Sequence, residues 1–186
     1  MKRLLTAAAS LLLILPMMGC QSVWDEPISS EIISLGAGGL AGRVAIVYHP
    51  GGSSFPRNVM MELGETLASR DYVVDISTAS PETLFEQSSY SALVLGSPIY
   101  GAEIRPPVAD FVSTNAPFSM PVFALLTGAF PGFFDTSDLP NLVAFAATCD
   151  VTITKAIKIK KGARPDQVRQ QVGELVDAIE QALAAP

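Results

Sequence analysis

Short apolar runs rich in β-branched residues alternate with amphipathic segments along most of the chain. The runs at residues 44–48, 92–96 and 122–126 are apolar almost throughout, which is typical of strands with both faces buried. The runs at residues 72–77 and 152–159 are more polar, and we expect them at the edges of a sheet. This alternation predicts a parallel sheet with helices on both faces, because parallel strands need long crossover connections.

Amphipathic helical segments connect these strands and follow the last one. They include a segment that ends at Ser69 and segments over residues 107–114, 139–148 and 165–184. The last segment has an apolar stripe at 3.6-residue spacing, and Pro165 and Asp166 suit its first turn. Five strands and about five helical segments in this order predict one α/β domain over residues 43–186, with a doubly wound, five-stranded parallel sheet.

The first twenty residues have the form of an export signal, with a basic start, an apolar run and Gly19 immediately before Cys20. They resemble a bacterial lipoprotein signal, which implies removal of residues 1–19 and a lipid such as palmitate on Cys20. Gln21 after the cysteine implies the outer membrane of a bacterial cell envelope, with the domain facing the periplasm. Simple secretion and an uncleaved anchor are the alternatives. Residues 20–42 are predicted to be the lipidated cysteine and a flexible tether, because they are rich in glycine and lack sustained periodicity.

Charge and cysteine content narrow the classes of partner. The net charge is −6, and the only basic block after the signal covers residues 158–164, so nucleic acid is not an expected partner. Once Cys20 holds a lipid, Cys149 has no second cysteine to pair with, which excludes a disulfide framework. We interpret Cys149 as a small buried hydrophobic residue.

Three loops follow strands at the edge where open parallel sheets bind their ligands. The first, "HPGGSSFP", combines two glycines, two serines and a following helix whose N-terminus favours an anion. Its candidate phosphate contacts are His49, Gly51, Gly52, Ser53, Ser54 and Arg57. The histidine would donate to phosphate, lie on the edge of the ligand, or be solvated. The other interpretation is a solvated turn, because the loop matches neither standard glycine-rich phosphate motif.

The second loop begins "GSPIYGA" directly after the strand at residues 92–96. It resembles the corresponding segment of the flavodoxin-like family, in which a Gly-Ser/Thr-Pro stretch and a tyrosine lead into a helix. The resemblance covers residues 43–183 with the same order of elements. It implies the strand order 2-1-3-4-5 and noncovalently bound FMN as the cofactor.

The same resemblance implies where the flavin ring lies. The second and third loops would frame the ring, and their implied contacts are Ser97, Pro98, Tyr100, Gly101, Thr127, Gly128 and Phe130. Phe133 and Phe134 have three interpretations: they cover the flavin, pack into the core, or form an exposed patch for a partner. No metal ligands are predicted.

The first loop departs from the family, whose phosphate loop usually has the pattern [ST]-x-T-G-x-T. In "HPGGSSFP" two or three hydroxyl contacts are missing or displaced by a residue. Hydrogen bonds to a charged phosphate contribute about 1.5–3 kcal/mol each. FMN binding would therefore be much weaker unless the serines, His49 or Arg57 compensate.

Two functions follow from these patterns. The first is a membrane-tethered flavoprotein that passes electrons to a redox partner protein or reduces a small acceptor such as a quinone, with the flavin supplying the chemistry. The second is a noncatalytic binding or scaffolding lipoprotein that keeps the fold and has lost FMN. Hydrolysis is not supported, because the chain has neither a G-x-S-x-G elbow nor an evident acid–base pair.

Overall fold

The computed structural model describes residues 26–29, 32–81, 83, 85–99, 103–128 and 138–185. Strands and helices alternate along them, and a 3₁₀ turn, Gln87–Ser89, precedes the fourth strand. The elements are β1 (Ile33–Leu35), β2 (Gly42–Tyr48), α1 (Ser54–Ser69), β3 (Tyr72–Thr78), β4 (Ala92–Pro98), α2 (Pro106–Asn115), β5 (Val122–Gly128), α3 (Asp138–Thr148), β6 (Ile153–Lys160) and α4 (Pro165–Ala184). The predicted signal, Cys20, Tyr100, Gly101, Phe130, Phe133 and Phe134 lie outside the described residues.

The strands form one sheet in the order β1-β3-β2-β4-β5-β6. The five strands β2 to β6 are parallel to one another, and their order is the predicted 2-1-3-4-5. The sheet has six strands rather than five because β1 joins β3 in the antiparallel direction. The winding reverses between β2 and β4, since the chain passes from β2 outward to β3 and then returns to the other side of β2.

Side chains alternate between two buried faces along the central strands. One face packs against α1 and α4 and includes Val44 and Ile46 of β2. The opposite face includes Ala45 and Val47, and it packs against residues of α2 and α3. All seven residues of β4 are buried, which explains its continuous apolar sequence. The doubly wound architecture predicted from the alternation is confirmed.

Residues 32–42 differ from the predicted tether. Ile33 pairs with Ile76 of β3, and Leu35 pairs with Val74. The glycines that follow serve a tight turn: Gly36 has a φ of 70°, and a side chain there would begin 2.0 Å from the Tyr72 carbonyl oxygen. Glycine is required here because backbones approach closely. The ordered domain therefore includes β1 and starts before Arg43.

The polar strand β3 was expected at an edge, but β1 covers it. Its buried Asp75 is 4% exposed and accepts hydrogen bonds from Ser34 (2.5 Å), Arg43 (2.7 Å) and Tyr90 (3.1 Å). Burial alone would raise the pKa of Asp75, but these bonds and the Arg43 charge outweigh it and lower the pKa. An acidic residue is tolerated inside the sheet because its charge is paired with Arg43 and hydrogen-bonded within the chain.

The remaining predictions concern the last elements. Strand β6 is an edge strand as expected, and α4 begins and ends at the predicted residues. Cys149 is half-buried rather than buried, with its sulfur 3.7 Å from the Ser113 hydroxyl oxygen. Within the described part of the chain, no helix is both long and apolar enough to span a bilayer.

Candidate functional site

The parallel strands β2 to β6 all end at one side of the sheet, which we name the carboxyl edge; the opposite side is the amino edge. The helices that follow β2, β4, β5 and β6 begin at the carboxyl edge. At the carboxyl edge Tyr48 of β2 is paired with Gly96 of β4. The next backbone N–H, of His49, donates to the Gly96 carbonyl oxygen at 3.0 Å. The first and second predicted loops therefore leave adjacent strands at the point where the winding reverses, which is where open sheets of this kind bind ligands.

The first loop presents the N-terminus of α1 to this edge. Gly51 turns the backbone with a φ of 62°. Ser53 is the residue before the helix, and its side chain makes no capping hydrogen bond. The first turn contains no acidic residue, Gly52 and Ser54 are exposed, and Ser53 is half-buried. The loop therefore combines helix N–H groups that have no side-chain cap with the hydroxyls of Ser53 and Ser54, a donor set that fits an anion.

His49 lies beneath this loop rather than on its surface. Its ring is 1% exposed, and Nδ1 accepts the Gly51 N–H at 3.0 Å. Nε2 is 3.1 Å from the Glu26 carbonyl oxygen, to which it donates. The ring is neutral in this arrangement, because a protonated Nδ1 cannot accept a hydrogen bond. His49 was expected to be solvated or to contact the ligand; the structure instead uses it to shape the loop and to hold the N-terminal segment.

Arg57 lies in the first turn of α1, with an exposed side chain. Its guanidinium interacts with the hydroxyl of Tyr48, the last residue of β2. Burial raises the pKa of Tyr48, and the Arg57 charge opposes part of that increase. Arg57 thus places a positive charge beside the loop.

The second loop is closed by Ser97. Its buried hydroxyl donates to the Pro98 carbonyl oxygen and accepts the Arg105 N–H, each at 3.0 Å. Gly96 has a packing role, because a Cβ there would lie 2.5 Å from the Tyr48 Cβ and 2.6 Å from the Met60 Cε. The "GSP" sequence therefore fixes the two ends of the loop, while Tyr100 and Gly101 within it lie outside the described residues.

The third loop leaves the end of β5, where Thr127 is paired with Pro98 of β4. The Thr127 side chain is 1% exposed, and its hydroxyl has no hydrogen-bond partner among the described residues. Gly128 lies beside Lys158, since a Cβ at Gly128 would be 3.2 Å from the lysine Cε. The predicted residues Ser97, Pro98, Thr127 and Gly128 thus end adjacent strands at one edge of the sheet.

Sequence reasoning missed a buried ion pair next to this loop. Lys158 of β6 donates to Asp138, the first residue of α3. Both side chains are largely buried, and the other carboxylate oxygen of Asp138 has no partner among the described residues. Twenty positions separate the two residues, so no local pattern indicates the contact. The pair holds the start of α3 against the end of the sheet.

Several hollows lie outside the first loop, and one of about 430 Å³ lies at the opposite, amino edge, lined by residues that include Met120, Asp150 and Thr152. A cleft of about 560 Å³ between the end of β6 and α4 is lined by polar residues including Lys160, Lys161 and Glu174. Another of about 390 Å³ is lined by residues of α3 together with Glu103 and Ile104. Within the described ranges, no group of three or more His, Cys, Asp or Glu side chains is arranged to hold a metal ion.

Several solved structures of flavin-related proteins have a fold similar to that of this chain. Flavodoxin 2 from Bacillus cereus is 14% identical, with a TM-score of 0.63 over 75% of this chain and 98% of that one. An NADH:FMN oxidoreductase in its apo form is 15% identical, with a TM-score of 0.60 over 78% and 91%. The Flv1 flavodiiron core from Synechocystis sp. PCC6803 is 16% identical, with a TM-score of 0.54 over 79% of this chain.

The coverage of these neighbours differs. The chain spans nearly the whole of the flavodoxin but only 36% of the flavodiiron core. No protein-family model matches the sequence, and no curated protein matches it either. At these identities structural similarity establishes architecture alone. The chain has the flavodoxin-like fold.

Proposed function

We propose that this protein binds FMN at the carboxyl edge and uses it to pass electrons to a redox partner protein or to a small acceptor such as a quinone, while a lipid on Cys20 holds it at a bacterial membrane. The observation that carries the proposal is the exposed N-terminus of α1 at the point where the winding reverses. The fold shared with flavodoxins and with an NADH:FMN oxidoreductase supports it.

The phosphate would lie at the first loop. The N–H groups of residues 52–55 precede or begin the helix, and the Ser53 and Ser54 hydroxyls lie beside them. The partial positive charge of the helix N-terminus and the Arg57 guanidinium both favour a doubly charged phosphate. Hydroxyls of this loop thus take the place of those missing from the usual family pattern.

The flavin ring would lie over the ends of β4 and β5. Leaving a buried hydroxyl unpaired costs about 1–3 kcal/mol, and Thr127 has such a hydroxyl. A polar atom of the flavin would supply its partner. Ser97 acts as a positioning residue that fixes the loop from residue 98 to residue 105. When bound, the flavin itself supplies the electron-transfer chemistry, and the protein supplies position and environment.

A noncatalytic binding or scaffolding role is the second candidate. Two donors that a phosphate would use are absent from the first loop: His49 already accepts the Gly51 N–H, and Pro56 in the first turn of α1 has none. If these losses outweigh the remaining contacts, the fold persists without its cofactor. The two candidates therefore differ in the affinity for FMN.

The test is a titration of the mature protein, in detergent, with FMN and with riboflavin, which lacks the phosphate. We expect saturable one-to-one FMN binding in the micromolar range or tighter, measured by flavin fluorescence quenching and calorimetry. Two charge-assisted hydrogen bonds to the phosphate predict riboflavin binding at least about 100-fold weaker. No FMN binding at millimolar concentration would favour the noncatalytic role. Equal affinities for the two ligands would remove the first loop from the site.

A matched pair of glycine variants tests the same loop. Gly52→Val should weaken FMN binding, because a side chain blocks approach of the phosphate to the backbone. Gly173→Val on α4 is the control, since nothing lies within 4 Å of an added Cβ there. Unchanged FMN affinity in Gly52→Val would contradict the placement of the phosphate.

The lipid anchor is tested separately. The wild-type chain should incorporate labelled palmitate and fractionate with membranes, and Cys20→Ser should lose both properties. Recovery of an unlabelled wild-type chain in the soluble fraction would contradict lipidation.

A further inference from the structure

The antiparallel strand β1 determines from which edge of the sheet the N-terminus leaves. Ile33 is paired with Ile76 near the end of β3, whereas Leu35 is paired with Val74 further toward its start. The chain therefore enters β1 at the carboxyl edge and runs toward the amino edge, where it turns into β2. Without β1, the chain would enter β2 directly from the amino edge.

The residues before β1 run along the carboxyl edge. The Ile28 carbonyl oxygen accepts a hydrogen bond from the Thr78 hydroxyl at the end of β3. The Glu26 carbonyl oxygen is 3.1 Å from Nε2 of His49, which follows β2. Glu26 thus contacts the first residue of the candidate phosphate loop. The N-terminal segment and the candidate site share one edge of the domain.

The distance from Glu26 to the proposed anchor is short. Cys20 precedes Glu26 by six positions, and a fully extended chain of that length spans at most about 20 Å. The strand β2 has seven residues, and at about 3.3 Å per residue it separates the two edges by roughly 20 Å. The carboxyl edge is therefore within reach of the short connection to the anchor, whereas the amino edge lies roughly 20 Å beyond it. The anchor therefore restricts which edge approaches the bilayer.

The distribution of exposed charge also favours the carboxyl edge as the one that approaches the bilayer. Lys160, Lys161 and Arg164 are exposed and cluster where β6 ends and α4 begins. Arg164 contacts Asp166 at 3.2 Å, yet both side chains stay largely exposed. Exposed acidic residues also lie nearby: Glu174 lines the same cleft as Lys160 and Lys161, and Glu26 and Glu103 lie near the ends of other strands, so the cationic cluster is local. Such a cluster favours contact with anionic headgroups.

We infer that the carboxyl edge faces the membrane, with the β6–α4 cluster of Lys160, Lys161 and Arg164 against anionic lipid headgroups and the candidate phosphate loop next to the bilayer. This inference rests on the lipidation included in the proposed function. It specifies the electron acceptor further: the accessible partner is a molecule that resides in or at the membrane, and a partner approaching from the aqueous side meets the amino edge instead.

The orientation is tested with the lipidated full-length mature protein on vesicles of phosphatidylethanolamine and phosphatidylglycerol. Cys149→Ser provides a background without a free thiol, and Asn58→Cys near the start of α1 or Glu65→Cys near its end introduces one exposed label toward the carboxyl or the amino edge. Headgroup nitroxide lipids then quench the attached fluorophore. We expect quenching at Asn58→Cys to exceed that at Glu65→Cys several-fold. Equal quenching, the reverse order, or no quenching at either position would overturn the inference.

A lengthened tether is the control for the short anchor. A Gly/Ser insert of about twenty residues after Gln21 has a mean span of about 25 Å, and it should reduce the quenching ratio toward one. A ratio unchanged by the insert would show that the short connection does not set the orientation. The readout needs no flavin, so failure of FMN binding and failure of the orientation are separate outcomes. Co-sedimentation with the vesicles reports the anchor itself, and a chain that does not sediment would overturn the inference as well.

Discussion

The two edges of the sheet treat their polar groups differently. At and near the amino edge, charged side chains form ion pairs within the chain. Arg43 pairs with Asp75 at 2.7 Å, and Arg70 contacts Glu180 at 2.8 Å. The turns there close tightly, with Asp71 at a φ of 68° and Asp150 at 57°. Among the described residues, no buried side-chain nitrogen or oxygen at this edge lacks a hydrogen-bond partner, so the edge serves the stability of the fold.

The carboxyl edge keeps donors and acceptors that the described residues do not use. The helix α1 begins without a side-chain cap, and the buried Thr127 hydroxyl and one Asp138 oxygen have no partners among those residues. Unpaired buried groups cost stability, and a ligand bound as proposed would supply partners for them. This difference between the edges predicts that substitutions in the amino half change stability and leave ligand affinity intact, whereas substitutions at the carboxyl edge lower ligand affinity.

The largest effect is expected for Asp75→Ala. It removes three hydrogen bonds to a buried carboxylate and the partner of Arg43, and should lower the free energy of unfolding by about 3 kcal/mol. Urea denaturation measures the loss, and FMN affinity should stay unchanged. Asp177→Ala, which removes an exposed carboxylate 3.5 Å from Arg70, is the control and should change stability by less than about 0.5 kcal/mol. Equal losses of stability in both variants would contradict the structural role assigned to the buried Asp75.

Acid should reveal the same residue with a smaller effect. The pKa of Asp75 is lower in the folded protein than its ordinary value of 3.8. Its contribution to stability is therefore fully present above pH 3.8 and is lost as pH falls through the folded pKa. Stability curves of wild type and Asp75→Asn should converge below pH 3.8. Parallel curves across that range would show that the charge on Asp75 does not stabilise the fold.

Ser97→Ala is expected to affect both properties moderately. It leaves the Arg105 N–H without its acceptor and should cost about 1–2 kcal/mol of stability. Because Ser97 fixes the second loop, FMN affinity should fall as well, as measured by titration. Ser113→Ala removes an exposed hydroxyl bonded within α2 at 2.9 Å and should change neither quantity appreciably. If Ser97→Ala lowered stability alone, the loop would have no role in binding.

The smallest effect on stability is expected for Thr127→Val. This variant tests most directly whether the carboxyl edge serves binding rather than stability. Replacing an unpaired buried hydroxyl with a methyl group of the same shape should leave the ligand-free protein unchanged or stabilise it by up to about 1 kcal/mol. FMN affinity should fall at the same time. Thermal unfolding with and without FMN measures both. Reduced stability without ligand would mean that the hydroxyl already has a structural role.

The central fold was predictable because it depends on continuous apolar runs. Strand β4 and helix α4 are specified by local patterns, and their positions follow from the sequence. Strand β1 was not predictable: it has three residues, and its stability comes from Asp75 and from a tight turn at Gly36. Glycine there indicated flexibility by composition, although its role is to permit close packing.

The site was predictable only where one local motif determined it. The "GSP" sequence correctly marked a loop at the point where the winding reverses, and the first loop correctly marked an exposed helix N-terminus. His49 contacts Glu26, which is 23 positions away in sequence, and the Lys158–Asp138 pair joins two separate elements. Such contacts have no sequence signature, because tertiary packing alone creates them.

The direction of β1 also decides how the domain resists mechanical force. Under the proposed anchoring, tension on the N-terminal segment would act along the axis of β1 once the contacts of Glu26 and Ile28 have broken. It therefore strains the β1–β3 backbone hydrogen bonds together, in shear, instead of opening them one after another. The Ser34–Asp75 bond is strained in parallel with them. If Cys20 carries a lipid as proposed, a short strand in this geometry would resist a pull on the anchor that would peel the same strand away if it ran across the direction of force.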